Sequence, residues 1–150
     1  MPSVQLSLRS DYALRVLLYL GTHPGEVVTT QRISDAYGIS KNHLVRVVQT
    51  LAGHGYVDLI PGRSGGIRLA RDPAGIRLGE VVRQAEPNLK LVECFDPVTN
   101  TCPIARSCGL KSILNEGLLA FLATLDQHTL AELVTSKRRA QLIELLLPKS

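Results

Sequence analysis

Thr30-Gln31-Arg32-Ile33-Ser34-Asp35-Ala36-Tyr37-Gly38-Ile39-Ser40-Lys41-Asn42-His43-Leu44-Val45-Arg46-Val47-Val48-Gln49-Thr50-Leu51 reads as two amphipathic helical segments interrupted by a single glycine. Thr30 is placed to cap the first, which carries Ile33 and Ala36 and stops at Gly38. The second opens after Ser40, carries Leu44, Val47, Val48 and Leu51 on one face, and ends at Gly53-His54-Gly55. Ile33, Ile39, Leu44 and Val47 are spaced to pack the two segments at a steep angle, which is helix-turn-helix spacing. Two β-rich stretches follow, Tyr56 to Ile60 and Gly66 to Ala70. The turn formers Pro61-Gly62-Arg63-Ser64-Gly65 join them into a hairpin. Helix, turn, helix and hairpin in that order predict a winged helix.

Outward from this centre, Ser10 to Leu20 is a helix with Leu14, Leu17 and Leu18 on one face and Ser10 as its cap. It ends where Gly21-Thr22-His23-Pro24-Gly25 forbids continuation. On the other side, Leu78 to Ala85 predicts a helix closed by Pro87. A loop over 89–108, rich in Asp, Pro, Asn and Thr, has no clean period. Gly109 to Leu125 is the longest helical segment. Its Leu110, Ile113, Leu114, Leu118, Leu119, Phe121, Leu122 and Leu125 cover more than one stripe, which suits packing on both its own domain and a second chain. Thr129-Leu130-Ala131-Glu132 has the form of a capping box, and a last amphipathic helix or a fraying tail follows Ser136. The expected fold is mainly α with a small β-hairpin. It comprises a winged helix-turn-helix region over 1–72, a linking helix and cysteine loop over 73–108, and a dimerisation helix with C-terminal tail over 109–150.

The charge is unevenly placed. Residues 1–72 hold eight Lys and Arg against five Asp and Glu, a balance of +3, while 73–150 hold nine against eight, a balance of +1. Between Ser40 and Arg71 the basic residues are Lys41, Arg46, Arg63, Arg68 and Arg71, opposed only by Asp58. A locally basic half suits a phosphate-bearing partner. Double-stranded DNA is therefore the expected partner, with Ser40, Lys41, Asn42, His43 and Arg46 facing the major groove from the second helix. Arg63, Ser64 and Gly65 at the hairpin tip would meet phosphate or the minor groove, with Gly62, Gly65 and Gly66 allowing close backbone approach. Enzymatic chemistry is not expected. His23, His43, His54 and His128 form no nucleophile–base pattern, and there is no phosphate-cradling glycine loop or His-Glu-x-x-His sequence. No stretch of eighteen apolar residues is present to span a membrane, so a cytoplasmic location is expected.

The only three cysteines in the chain, Cys94, Cys102 and Cys108, fall within fifteen residues. An odd number cannot all pair within one chain, and a reducing compartment keeps clustered thiols available to metal. Tetrahedral zinc and iron–sulfur clusters both take four ligands, so the set is one short. The gaps are wider than those of structural zinc knuckles and suit a loop wrapped around a larger object. On the residues alone an iron–sulfur cluster, a zinc or thiol-redox site, and unligated cysteines all stay open. Arg106, Lys111 and the start of the long helix would stabilise thiolate at Cys108.

Ser10-Asp11-Tyr12-Ala13-Leu14-Arg15, Ile39-Ser40-Lys41-Asn42-His43-Leu44 and Gly62-Arg63-Ser64-Gly65-Gly66-Ile67-Arg68-Leu69-Ala70 resemble the Rrf-type family of bacterial winged-helix regulators. Val92-Glu93-Cys94-Phe95, Cys102-Pro103-Ile104 and Cys108-Gly109-Leu110 are similar to its nitric-oxide-sensing repressors. The resemblance covers nearly the whole chain. It implies a homodimer on a palindromic operator, holding a 4Fe-4S cluster (2Fe-2S being the alternative) on Cys94, Cys102 and Cys108. Nitric oxide would destroy the cluster and release the DNA. It also implies that Asp11, from the opposite subunit, supplies the missing ligand. Against this, a carboxylate is favoured in a first helical turn anyway, and Arg15 stands one turn on for an ion pair. Glu93, Asp96 and an exogenous thiol or water are rival ligands. Two other functions stay open: a related regulator sensing iron, cluster status or redox poise, and a zinc-stabilised DNA-binding module.

Overall fold

Gly38 turns the chain between the two central helices with φ 68° and ψ 33°, the left-handed conformation that glycine adopts without steric cost. In the computed structural model, which describes residues 4–147, the flanking helices are α2 (Thr30–Tyr37) and α3 (Lys41–Gly53). They are preceded by α1 (Leu8–Thr22) and followed by the hairpin β1 (Val57–Ile60) and β2 (Gly66–Leu69). The second half consists of α4 (Leu78–Ala85), α5 (Gly109–Asp126), α6 (Leu130–Leu133) and α7 (Ser136–Leu145). Short 3-10 turns lie at Pro73–Gly75, Glu93–Phe95 and Ala105–Ser107. The fold is therefore mainly helical with one two-stranded antiparallel hairpin.

Two caps differ from expectation. Ser7 rather than Ser10 caps α1, its hydroxyl accepting the Ser10 N–H at 3.4 Å. Ser10 lies inside the helix, fully buried, and donates its own hydroxyl to Glu86. Thr29 rather than Thr30 caps α2, accepting the Arg32 N–H at 3.1 Å. In each case two nearby hydroxyl residues offer the same local signal, and the earlier of the two takes the cap position.

The hairpin pairs Val57 with Leu69 through Ile60 with Gly66. Val28, in the loop before α2, adds a bridge to its outer edge, exchanging hydrogen bonds with Ile67 at 2.8 and 2.7 Å. That bridge accounts for Gly66, and the turn's own backbone for Gly65. A Cβ on Gly66 would strike the Val28 carbonyl, and one on Gly65 would strike the Ile60 carbonyl. Both are small because the wing backbone is crowded from within, not only because something must approach from outside.

One apolar core runs through the molecule. Val16, Leu17 and Leu20 of α1 meet Ile33, Leu44, Val48, Leu51, Tyr56 and Ile67. Ile76, Val81, Ala85 and Leu130 belong to the same cluster, so the winged helix and the linking helix share a core. Each fully buried aliphatic side chain contributes about 1.5–3 kcal/mol of transfer free energy. α4 backs directly onto the end of α5, since a Cβ on Gly79 would collide with the Asp126 side chain and lie 2.9 Å from its amide nitrogen. Arg83 holds the Asp126 carboxylate in a two-pronged pair, its second contact 2.9 Å long, and Arg77 donates to the Asp126 carbonyl at 2.8 Å. α5 itself buries only Leu122 among the described residues and leaves Leu110, Ile113, Leu119 and Phe121 exposed.

Candidate functional site

The N-terminal end of α3 stands clear of the core. Leu44, Val47, Val48 and Leu51 turn inward, which forces Lys41, Asn42, His43, Arg46, Gln49 and Thr50 outward at the complementary positions. Ser40 occupies the cap position but makes no capping bond, so its hydroxyl is exposed. Lys41, Arg46 and Arg63 enter no ion pair with any described residue. Arg68 is engaged with Asp58 at 3.7 Å across the hairpin, which withdraws it from the free basic set. Arg63 and Ser64 are exposed at the wing tip, Gly65 is half-buried, and Gly62 takes φ 97° there. The His43 ring meets Tyr12 of α1 at 5.9 Å, linking the exposed start of α3 to the first helix.

Asp11 lies in the first turn of α1, half-exposed, with both carboxylate oxygens on Arg15 at 3.1 and 3.2 Å. The Arg15 guanidinium also lies over the rings of Tyr12 and Tyr37, at 5.6 and 5.8 Å. Tyr37 donates its hydroxyl to the Arg15 carbonyl at 3.0 Å, and burial raises its pKa to about 12. Among the described residues, no hydrogen bond or ion pair joins Asp11 to the cysteine loop of its own chain.

The loop follows α4 and returns at the start of α5. Cys94 sits in the 3-10 turn Glu93–Phe95, Cys102 precedes the one at Ala105–Ser107, and Cys108 is the residue before α5. All three thiols are half-buried and unpaired. Their backbone is ordered by short-range polar bonds. Asp96 accepts the Lys90 ammonium at 2.8 Å and the Val98 N–H at 3.0 Å, and the Lys90 charge holds its carboxyl down at about 2. Asn100 accepts the Cys102 N–H at 2.9 Å, and Thr101 donates to Glu93 at 2.7 Å. Both rival carboxylates, Glu93 and Asp96, are thus already engaged. Cys108 makes no side-chain cap, leaving the first amides of an eighteen-residue helix without one. A shallow cavity of about 530 Å³ opens there, lined by Arg106, Cys108, Lys111 and Asn115 among others.

Among the described residues, no three His, Cys, Asp or Glu side chains are gathered around a point that one metal ion could occupy. A single zinc needs four donors within about 2.0–2.3 Å of its centre. A cluster instead spreads its thiolates over several irons, one each. Three free thiols on one loop beside an uncapped helix start and two cations suit that wider, anionic object in donor type and charge.

Glu86 is a residue that sequence reasoning did not single out. At the end of α4 it accepts the Ser7 N–H at 3.1 Å, the Ser7 hydroxyl at 2.7 Å and the Ser10 hydroxyl. It thereby fastens the start of α1 to the root of the cysteine loop. Seventy-nine positions separate Glu86 from Ser7, and nothing local marks the contact.

An exposed basic helix, a wing beside it and a long helix with an uncovered apolar face define a winged-helix transcription regulator. The Rrf2 model, described as an iron-dependent transcriptional regulator, matches residues 6–136, and the chain belongs to that family. An HTH-type transcriptional regulator NsrR of Bacillus subtilis (strain 168) is 50% identical over 135 residues, covering 89% of this chain and 92% of that protein. One of the same name from Geobacillus kaustophilus (strain HTA426) is 47% identical over 144 residues, covering 95% and 97%. Among solved structures, the T. potens IscR superposes with a TM-score of 0.73 at 25% identity, covering 93% and 92% of the two chains. CymR, the global cysteine regulator of B. subtilis, shares the fold with a TM-score of 0.69 at 24% identity, over 88% and 97%. Membership places the chain among transcription regulators rather than enzymes. No helix of the described residues is long and apolar enough to cross a membrane.

Proposed function

We propose that this chain is a dimeric, DNA-binding repressor that carries an iron–sulfur cluster and leaves its operator when nitric oxide attacks that cluster. One observation carries the reading. Three half-buried unpaired thiols share a loop against the uncapped start of α5, in a chain 50% identical over 135 residues to a transcriptional regulator named NsrR. Cys94, Cys102 and Cys108 hold the cluster as thiolates in this reading, favoured by Arg106, Lys111 and the positive end of α5. When bound, the cluster (4Fe-4S, or 2Fe-2S as the alternative) supplies iron able to take up a small diatomic molecule. Asp11 completes the set from the opposite subunit. Its present partner is a half-exposed i,i+4 arginine, a pair worth only about 0.3–0.5 kcal/mol, so the carboxylate changes partners at little cost.

Leu110, Ile113, Leu119 and Phe121, between 45% and 64% exposed, form the seam of the dimer. Two copies of α3, presenting Ser40, Lys41, Asn42, His43 and Arg46, read half-sites of a palindrome about 34 Å apart. Arg63, Ser64 and Gly65 grip the flanking backbone. Loss of the cluster frees Asp11 and the loop together, and Glu86 passes that freedom to the start of α1.

The test uses the anaerobically reconstituted protein and a duplex selected by it from a random library. Nitric oxide should release the duplex at near-stoichiometric doses, whereas oxygen and iron chelators act more slowly. Equal affinity of cluster-loaded and cluster-free protein would end the sensor reading. The iron-dependence in the family description supports a second reading, in which iron or cluster status is the signal. Release by chelators with indifference to nitric oxide would select it. A zinc-only module would be colourless, whereas a cluster-loaded protein is brown.

A further inference from the structure

Arg71 stands one residue beyond the hairpin, where Ala70 closes it by donating its N–H to the Tyr56 carbonyl at 2.9 Å. Its guanidinium does three things at once. It donates to the carbonyls of His54 and Gly55, just past the end of α3, at 2.9 and 3.2 Å. It lies over the Tyr56 ring at 4.3 Å, and that ring is fully buried. Its remaining nitrogen approaches Glu80 in the first turn of α4 at 3.8 Å. These two carbonyls belong to the turn that leaves α3, next to the negative end of the helix dipole, where a fork-shaped cation is favoured. Gly55 takes φ 78°, which turns its carbonyl to the same cation that the His54 carbonyl meets. One side chain therefore joins the rear of the DNA-reading helix, the base of the wing and the strut leading to the cysteine loop.

We infer that Arg71 is a positioning residue for operator recognition: it sets the tilt of α3 relative to the wing and to α4 without touching DNA itself. The inference rests on the DNA-binding role above. Leu44, Val47, Val48 and Leu51 seat α3 in the core, and the Tyr56 N–H bonds the Leu51 carbonyl at 2.9 Å. The Arg71 clamp adds the polar contacts that fix the end of α3 against both the wing and α4. Base-edge contacts need close geometry, whereas phosphate contacts tolerate small rotations. Loss of the clamp should therefore damage sequence discrimination more than general affinity.

The experiment compares wild type, Arg71→Gln and Arg71→Lys as full-length, cluster-reconstituted protein. Each is titrated against the library-selected duplex and a random duplex over a range of salt, with the folded fraction checked by circular dichroism. For Arg71→Gln the selected-to-random affinity ratio should fall about tenfold, while random-duplex affinity and the salt slope stay at wild-type values. Arg71→Lys, which keeps the charge but not the fork, should fall between. A loss of folded protein alone would lower both affinities equally and overturn the inference, assigning Arg71 a purely structural role. A drop in the salt slope by about one would make Arg71 a phosphate contact and also overturn it. An unchanged ratio refutes it outright. Failure of the wild type to bind any duplex would sink the DNA-binding reading, and this inference with it.

Discussion

Replacing Glu86 by alanine should cost this protein roughly 3 kcal/mol, and the figure follows from what the carboxylate touches. It accepts from the Ser7 amide, the Ser7 hydroxyl and the Ser10 hydroxyl. Hydrogen bonds to a charged group contribute about 1.5–3 kcal/mol each, but three acting on one carboxylate are far from additive. The second loss is sharper. Ser10 is fully buried, so its hydroxyl would be left without an acceptor at about 1–3 kcal/mol. For a domain of this size that amounts to a fall in melting temperature of about 6–12 °C. Circular dichroism at 222 nm on the reduced, metal-free protein measures it directly. A double-mutant cycle supplies the control. Ser10→Ala removes the orphan, so Ser10→Ala with Glu86→Ala should be less destabilised than the sum of the two single changes. If Glu86→Ala melted within 1 °C of wild type, the staple between α1 and the loop root would not exist as described. Strict additivity would refute the buried-hydroxyl argument alone.

Three further outcomes are expected. On the dimer reading above, Ile113→Glu on the exposed face of α5, where the side chain is 64% exposed in the single chain, should shift the protein from dimer to monomer in sedimentation velocity, lower its melting temperature and remove the dependence of that temperature on protein concentration. Gly79→Ala should destabilise by about 1–3 kcal/mol in urea melts, since the new methyl group collides with Asp126 and separates it from Arg83. Tyr37 and Tyr56 both titrate near 12 in the fold, against an ordinary 10, chiefly because burial disfavours the phenolate. With folded values raised above unfolded ones, their contribution is fully present below pH 10 and is lost as pH rises towards 12. The unfolding midpoint should therefore drop across that interval. The part of the 295 nm tyrosinate signal due to these two residues should appear near pH 12 while the protein stays folded, and near pH 10 once it is unfolded.

Parts of this architecture were legible because the controlling forces are local. The α2–α3 break needs only Gly38 and two apolar faces, and α4 begins and ends where its periodicity and Pro87 put it. The wing was legible from its turn residues. The reason for its glycines was not, because Gly66 is crowded by Val28, which lies 38 positions earlier in the chain. The helix caps failed for a related reason. Ser7 and Ser10 are equivalent as local signals, and the distant Glu86 carboxylate that takes both hydroxyls is invisible along the chain. Arg71 looked like one more cation for DNA, yet two carbonyls, a ring and Glu80 claim it.

The linear order of residues by itself determined the winged-helix pattern, the basic first half, the three-thiol loop and the apolar surplus of the long helix. Those properties depend on spacing and residue type, which read out along the chain. Only the tertiary structure decided which charges are spent internally, which hydroxyl caps α1, and how Glu86 and Arg71 tie the loop root and the end of α3 to a common strut. Such bonds join residues far apart in sequence, and their partners become neighbours only after the shared core has brought the helices together.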